Sequence, residues 1–327
     1  MRLASGFSSR FKRASGFSLI ELMISIALGV SLSFVVCHLL LQSKRSYVVA
    51  QMQARLEDNG RYALRYLGHE LRMAGHLADL NSRTSVQVNE IGSPCFNYLL
   101  RTEVPLAHSN DVAKNGQPQG GEPSFPTDCL LPGQHQTGSD VLVVRRTASQ
   151  PSLLDGVRLA SMDSDDLFIG RAGVYQLPML ERGRDVERTG TSWLYQPQVL
   201  FVRNYSAVQG DKIPTLCRKR PGRSTNRMTP TECLMEGIEM LHLEFGLDDT
   251  DNRQVDRYVA QVTVDDLQSA VAARLYLLVR SVREMAGHED SRRYVLGSKI
   301  VTASGDGYVR RLMQATVLLR NNAVSPL

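Results

Sequence analysis

The chain has no proline before Pro94. Proline is the residue that most reliably ends a helix, so nothing in that stretch forbids one very long helix. Aromatic residues are sparse, at 6% with a single tryptophan. Catalytic signatures are missing as well: there is no HExxH, GxSxG, Walker-type loop or Rossmann fingerprint. His69-Glu70 is followed by Leu71-Arg72-Met73, which fails the zincin pattern, and the 7 histidines are scattered. These absences argue against an enzyme. No CxxC or Cys/His pair has the spacing of a zinc site. Charge excess is nearly absent too. The formal net charge is +5, but Arg2, Arg10, Lys12 and Arg13 supply four of the 38 basic residues, leaving 34 against 33 acidic ones. The basic balance is therefore a feature of the N-terminus and implies no general nucleic-acid surface. With 43% hydrophobic and 22% charged residues, the composition is that of a globular protein.

What the chain does have is an apolar run, Gly16 to Leu41, directly after that basic leader. At about 1.5 Å of helical rise, its length suffices to cross a bilayer. A carboxylate, Glu21, breaks the run. A charge at mid-bilayer costs about 2.5–3.5 kcal/mol, less near an end, and is normally kept because it meets a partner. One simple reading lets Glu21 reach the headgroups from the first turn. The other follows from cleavage after Gly16: Phe17 becomes the N-terminus, and its amine in one subunit is neutralised by Glu21 of a neighbour. Ordinary secretory signals end in a small-residue cleavage site, and none stands before Lys44. A lipoprotein signal needs a small residue before Cys37, where Val36 stands. A plain signal-anchor fits the charge bias but gives Glu21 no reason.

Arg13-Ala14-Ser15-Gly16 followed by Phe17-Ser18-Leu19-Ile20-Glu21 resembles the processing signal of type IV prepilins and pseudopilins. The resemblance implies cleavage after Gly16 by a prepilin peptidase, N-methylation of Phe17, and guidance of filament assembly by Glu21.

From Gln42 to His76 the pattern turns amphipathic, with Met52, Leu56, Gly60, Ala63, Leu67, Leu71 and Ala74 recurring every three or four residues. The opposite face carries Arg55, Asp58, Arg61, Arg65 and Arg72, and Gly75 offers a stop. This predicts one long helix, spanning the membrane over 17–41 and packed on its own domain over 42–76. The remainder, 77–327, reads as a globular domain with a long irregular loop near 103–139, rich in proline and glycine. Strand patterns appear in Asp140–Arg146, Val199–Val202, Ile238–Leu247, Arg274–Ser281 and Gln314–Arg320, and a short helix near Val264–Ala273. In Ile238–Leu247, Leu241, Leu243, Phe245 and Leu247 share one face, with His242 and Glu244 on the other. Strands that follow a helix without βαβ alternation predict an α+β fold with a largely antiparallel sheet.

Cys37 lies in the apolar run and reads as a small buried apolar residue. Cys95, Cys129, Cys217 and Cys233 fall on the side where disulfides persist. Four cysteines allow three pairings. The sequential one, Cys95–Cys129 and Cys217–Cys233, is expected because each bridge closes a loop-like stretch.

Gly138–Arg146, Asp256–Val259, Leu275–Ser281, Val317–Asn321 and Asn59–Gly75 together resemble PilW-type minor pilins, which share their plan with the J-type pseudopilins of type II secretion. The resemblance implies a pilin-like protein held in the inner membrane by a single pass, its C-terminal domain in the periplasm and later in the pulled-out pilus fibre. It further implies a tip or priming complex with other minor pilins and the major pilin, and support of adhesin display, hence adhesion and twitching motility. A type II secretion pseudopilin and a membrane-anchored module binding DNA or a surface ligand remain the alternatives.

Two further clusters invite a ligand. Asp248, Asp249, Asp251, Asn252 and Asp256 offer oxygen ligands of the kind Ca²⁺ takes. The glycine of an EF-type loop is missing and Arg253 interrupts the acids, so a solvated turn is the expectation and no cofactor is assigned. Arg218, Lys219, Arg220, Arg223 and Arg227 lie inside the expected Cys217–Cys233 loop and are a candidate phosphate-binding patch for DNA. No aromatic residue interleaves them to stack bases, so DNA is disfavoured against a solvated loop or an acidic partner.

Overall fold

The computed structural model describes residue 16 and residues 18–77, 86–88, 91–113, 120–121, 126–130, 132–171, 178–186, 190–223 and 225–321. Leader residues 1–15 and Phe17 lie outside them. The chain divides into two units, 1–51 and 52–327. Both contain part of a single helix, α1, which runs over Leu19–Met73. In the first unit α1 is apolar and bare. Its best 18-residue window has a mean hydropathy of 2.3 and none of it is buried.

In the second unit α1 is one-sided. Leu56, Gly60, Ala63, Leu67 and Leu71 are buried, as their spacing predicts, and Ala74 follows them. They pack on Leu241, Leu243, Phe245, Leu275, Leu277, Val279 and Val317 in the main core. Gly60 permits this approach. A Cβ there would sit 2.5 Å from Met313 Sδ and 3.0 Å from Val279 Cγ2, so the helix backbone itself touches the sheet. Beyond Met73, Gly75 adopts φ +75° and donates its N–H to the Arg145 carbonyl at 3.0 Å. That left-handed turn is the usual glycine stop.

The face beneath α1 is a four-stranded antiparallel sheet ordered Arg257–Val259, Ile238–Leu247, Ala270–Arg280, Arg310–Leu318. A six-stranded antiparallel sheet adjoins it, ordered Glu232–Glu236, Thr215–Lys219, Gln198–Arg203, Val141–Val144, Leu106–Asn110, Gly120–Gly121. A further sheet of short strands contains the one parallel pair among the described residues, Gln87–Val88 with Met179–Arg182. The fold is thus α+β with a largely antiparallel sheet, as the order of elements predicts.

Three local expectations need correction. The stretch near 103–139 is not one long loop: Leu106–Asn110 is a buried strand paired with Val141–Val144, and Thr127–Cys129 forms a 3₁₀ turn. His108, Ser109 and Asn110 disguise the strand as a polar run, and the His108 ring is matched inside the protein by Asp140 and not by solvent. The Cys217–Cys233 segment is likewise no simple loop. Its ends form two adjacent strands with Cys217 opposite Cys233, and the bridge joins them across the ladder. The helix near Val264 is shorter than predicted, ending at Ser269, after which the chain pairs as a strand from Ala270. Thr263 caps that helix in a capping box with Asp266, and its last turn yields to the pairing of Ala270 with Leu247. The second bridge ties Cys95, in the Pro94–Leu99 helix, to Cys129.

His242 and Glu244 do lie on the face opposite Leu241 and Leu243, yet both are buried. The hairpin Arg293–Leu296/Lys299–Thr302 covers that face through Tyr294 and Leu296, which pack on Met240, Tyr276 and Leu278.

Candidate assembly site

Glu21 stands in the first turn of α1, where the helix dipole favours a negative charge. Around it Leu19, Ile20, Leu22, Met23 and Ile24 are all more than half exposed. The backbone at this end is regular, with Leu22 donating to the Ser18 carbonyl at 3.1 Å and Ser25 Oγ to the Glu21 carbonyl at 2.7 Å. The Glu21 carboxylate itself has no partner among the described residues. Gly16 is exposed and open on all sides. This end of the chain is therefore a bare apolar helix with one carboxylate that has no partner among the described residues.

In the globular unit several buried charges are matched internally. Glu70, 3% exposed on the packed face of α1, receives Arg146 Nε at 2.7 Å and Nη2 at 2.9 Å. Such a bidentate pair fixes direction as well as distance. Tyr66 Oη donates to Gln198 Oε1 at 2.9 Å and accepts from Arg218 Nη1 at 2.9 Å. Asn59 and Asn321 bind the Glu236 and Arg72 carbonyls, so side-chain bonds tie α1 to the strand Glu232–Glu236 at one end of its packed half and to the turn after the last strand at the other.

The two sheets meet at Asp140, which is fully buried. Its N–H donates to the Leu241 carbonyl at 2.9 Å. Its carboxylate accepts from the Asp111 N–H at 3.1 Å and the Leu243 N–H at 2.8 Å. His108 Nε2 lies 2.9 Å and His242 Nδ1 3.1 Å from Oδ2. Burial alone would raise the pKa of Asp140. The hydrogen bonds and charges of His108, then of His242, more than offset it and hold the carboxyl far below its ordinary range. Asp111, Asp140 and His242 bring ligand atoms within 4.8 Å of one another, a metal-capable grouping. Lys299 Nζ already bonds Asp111 and the Gly138 carbonyl, so an ammonium supplies the positive charge there.

The two clusters singled out in the sequence fare differently. In the acidic turn, Asp248 accepts from the N–H groups of Thr250, Asn252 and Arg253 at 3.2, 3.1 and 2.6 Å. Asp256 accepts from Asp249 and Thr250, and Asp249 is paired with Arg257 Nε at 2.7 Å. Asp251 is exposed with φ +56°. The carboxylates close the turn upon itself, which is the reading the missing glycine favoured. The five cations do not form one patch. Arg218 and Arg220 converge on Glu232 at 2.9 and 3.2 Å, and Arg223 pairs with Asp166 at 2.8 Å. Lys219 is buried and Arg227 is exposed. Three of the five charges of the candidate DNA patch are thus paired with neighbouring carboxylates.

Sequence reasoning missed Glu70, Arg146, His108 and Asp140 as structural determinants. Their signal was faint, namely polar residues set at apolar positions of a helix or strand pattern.

Comparison with known proteins bears on both units. The family described as "Type IV Pilus-assembly protein W" matches residues 199–321, and the "Prokaryotic N-terminal methylation motif" matches residues 11–36. The first span covers the four-stranded sheet beneath α1, and the second brackets Gly16, Phe17 and Glu21. Among solved structures, a type IV-like pilin from Thermus thermophilus shares 15% identity over 83% of this chain and 98% of its own, at a TM-score of 0.36. No curated protein sequence matches the chain. With the methylation motif at the head of a bare apolar helix and a match to the pilus-assembly W family over residues 199–321, the chain carries two sequence signatures of a minor pilin of type IV pilus assembly.

Proposed function

We propose that the protein is a structural, non-catalytic subunit that joins other minor pilins in the complex that primes the pilus and remains at its tip, supporting display of an adhesin. A prepilin peptidase cleaves after Gly16, Phe17 becomes a methylated N-terminus, and Glu21 neutralises the amine of an adjacent subunit. The observation that carries this reading is the contrast in charge. Glu21, in a bare apolar helix, lacks a partner among the described residues, whereas the carboxylates Glu70, Asp140 and Glu232 are each matched within the chain. In a low-dielectric surrounding such a carboxylate requires an opposite charge from outside. The four cations of the leader argue for retention of the N-terminus on the cytoplasmic side. Two disulfides in the globular unit argue for its maturation in an oxidising compartment, the periplasm.

A deletion strain separates pilus work from type II secretion. Surface pili should fall at least tenfold by electron-microscope count and be restored by the wild-type gene, with secreted exoproteins unchanged throughout. Normal piliation with lost secretion would instead make the protein a J-type pseudopilin.

A further inference from the structure

One cleft takes no part in the packing of α1 or in the joint at Asp140. It holds about 630 Å³, and its lining includes Asp128, Gln134, Arg203, Lys219, Arg227 and Met228. Its walls are stiff. Asp128 adjoins Cys129 and Lys219 stands two residues after Cys217, and both cysteines are bridged.

The charges in this cleft do not balance. Its single carboxylate, Asp128, already accepts the Cys95 N–H at 3.1 Å. Against it stand three cations. Arg203 lies over the Tyr205 ring at 4.1 Å and commits Nε to the Tyr205 carbonyl at 2.8 Å, leaving its terminal nitrogens without a partner among the described residues. Arg227 is exposed, and its guanidinium is likewise unpaired among them. Lys219 is the telling residue: it is only 7% exposed, lines the cleft, and has neither an ion pair nor a side-chain hydrogen bond among the described residues. Burial lowers its pKa, and Asp128 acts in the opposite sense without reaching ion-pair distance. Lysine is almost never buried to this degree without a partner. Removing one partner of a buried pair is what normally creates such an uncompensated charge. Here the natural complement is an anion entering from solvent.

We propose that this cleft binds a phosphate monoester, with Lys219 meeting the phosphate oxygens from the buried side and Arg203 and Arg227 offering guanidinium forks from the open side. Three cations and one carboxylate leave two positive charges, which match a phosphate monoester near its second ionisation. A phosphodiester carries a single charge and would leave one unmatched. Guanidinium and ammonium donors both bond phosphate well, the former in bidentate fashion. Gln134 adds a neutral amide, and Met228 gives an apolar wall for whatever bears the phosphate. The inference stands apart from the role of Glu21 and survives if that role fails.

The test is isothermal titration of the full-length detergent-solubilised protein at pH 7.5, with inorganic phosphate, glycerol 3-phosphate and dimethyl phosphate at matched ionic strength. Saturable one-to-one binding of either monoanionic-to-dianionic probe is expected, with dimethyl phosphate at least tenfold weaker. Tighter glycerol 3-phosphate marks an esterified phosphate as the natural occupant, and tighter inorganic phosphate marks the free ion. Lys219→Met should weaken binding at least tenfold while leaving the circular dichroism spectrum intact and the thermal midpoint no lower. If Lys219→Met does not fold, Arg227→Gln, at an exposed position, should still weaken binding several-fold. Absence of saturable binding, equal binding by the variants, or a DNA oligonucleotide or dimethyl phosphate bound as tightly as the monoesters would overturn the proposal.

Discussion

Replacing Glu21 by alanine should remove the protein from sheared pili, at least tenfold by immunoblot, while its level in the membrane fraction stays unchanged. The two halves of this expectation rest on different parts of the chain. Glu21 contributes nothing visible to the fold: it lies in the first turn of α1, exposed and without a partner among the described residues, and alanine is the best helix former. Membrane insertion should even ease, since a carboxylate in the apolar run costs about 2.5–3.5 kcal/mol at mid-bilayer. On the proposed function, the variant would lose the complement to a neighbour's amine at Phe17. Glu21→Gln keeps the shape and removes the charge, so it should fail as alanine does, and Glu21→Asp should retain partial incorporation. Normal incorporation of the alanine variant would mean that Glu21 merely reaches the headgroups, and that subunits recognise one another elsewhere.

Asp140→Ala should cost the globular unit about 3–5 kcal/mol in chemical denaturation, as expected on removal of one member of a buried charged set. The loss is concentrated because a single carboxylate joins two sheets. It serves His108 on one strand, His242 and the Leu243 N–H on another, and the Asp111 N–H on the turn between. Alanine would leave all four facing each other without their acceptor, with Lys299 held nearby by Asp111. The same carboxylate gives stability an acid limb. Because the folded-state pKa of Asp140 is depressed, its contribution is complete above the unfolded carboxyl value of about 4 and is lost as pH falls below it. Asp290 behaves alike: burial would raise it, but Arg292 and Tyr294 bring it down to about 2. The thermal midpoint should therefore be nearly flat from about pH 7 to 5 as far as these two groups decide it, and fall steadily below about pH 4. In Asp140→Ala the acid limb should be shallower. An unchanged midpoint for the variant would show that backbone pairing, not the carboxylate, holds the sheets together.

The helix and the strand Ile238–Leu247 were legible because their signals are local. The absence of proline before Pro94, the three-and-four spacing from Leu56 to Ala74 and the alternation of Leu241, Leu243 and Phe245 need no knowledge of the partner surface. Leu106–Asn110 was not legible, since its His108 finds a buried partner only when Asp140 arrives from 32 residues away. Glu70 shows the same limit. In the sequence it is one more acid beside His69, and only the approach of Arg146 makes it a buried fastening of α1. Likewise the basic run Arg218–Arg227 reads as one patch along the chain. The ladder that sets Arg218 opposite Glu232 breaks it into paired charges and a remainder, Lys219 and Arg227, unpaired among the described residues. The expected processing residues rest on another kind of signal, a linear motif within residues 11–36.

The most direct test is the mass of the mature N-terminus in protein extracted from membranes. The account predicts a chain beginning at N-methylated Phe17, the leader removed after Gly16. An intact leader in cells whose prepilin peptidase is active on other substrates would contradict it, and would leave Glu21 without the amine it is held to neutralise.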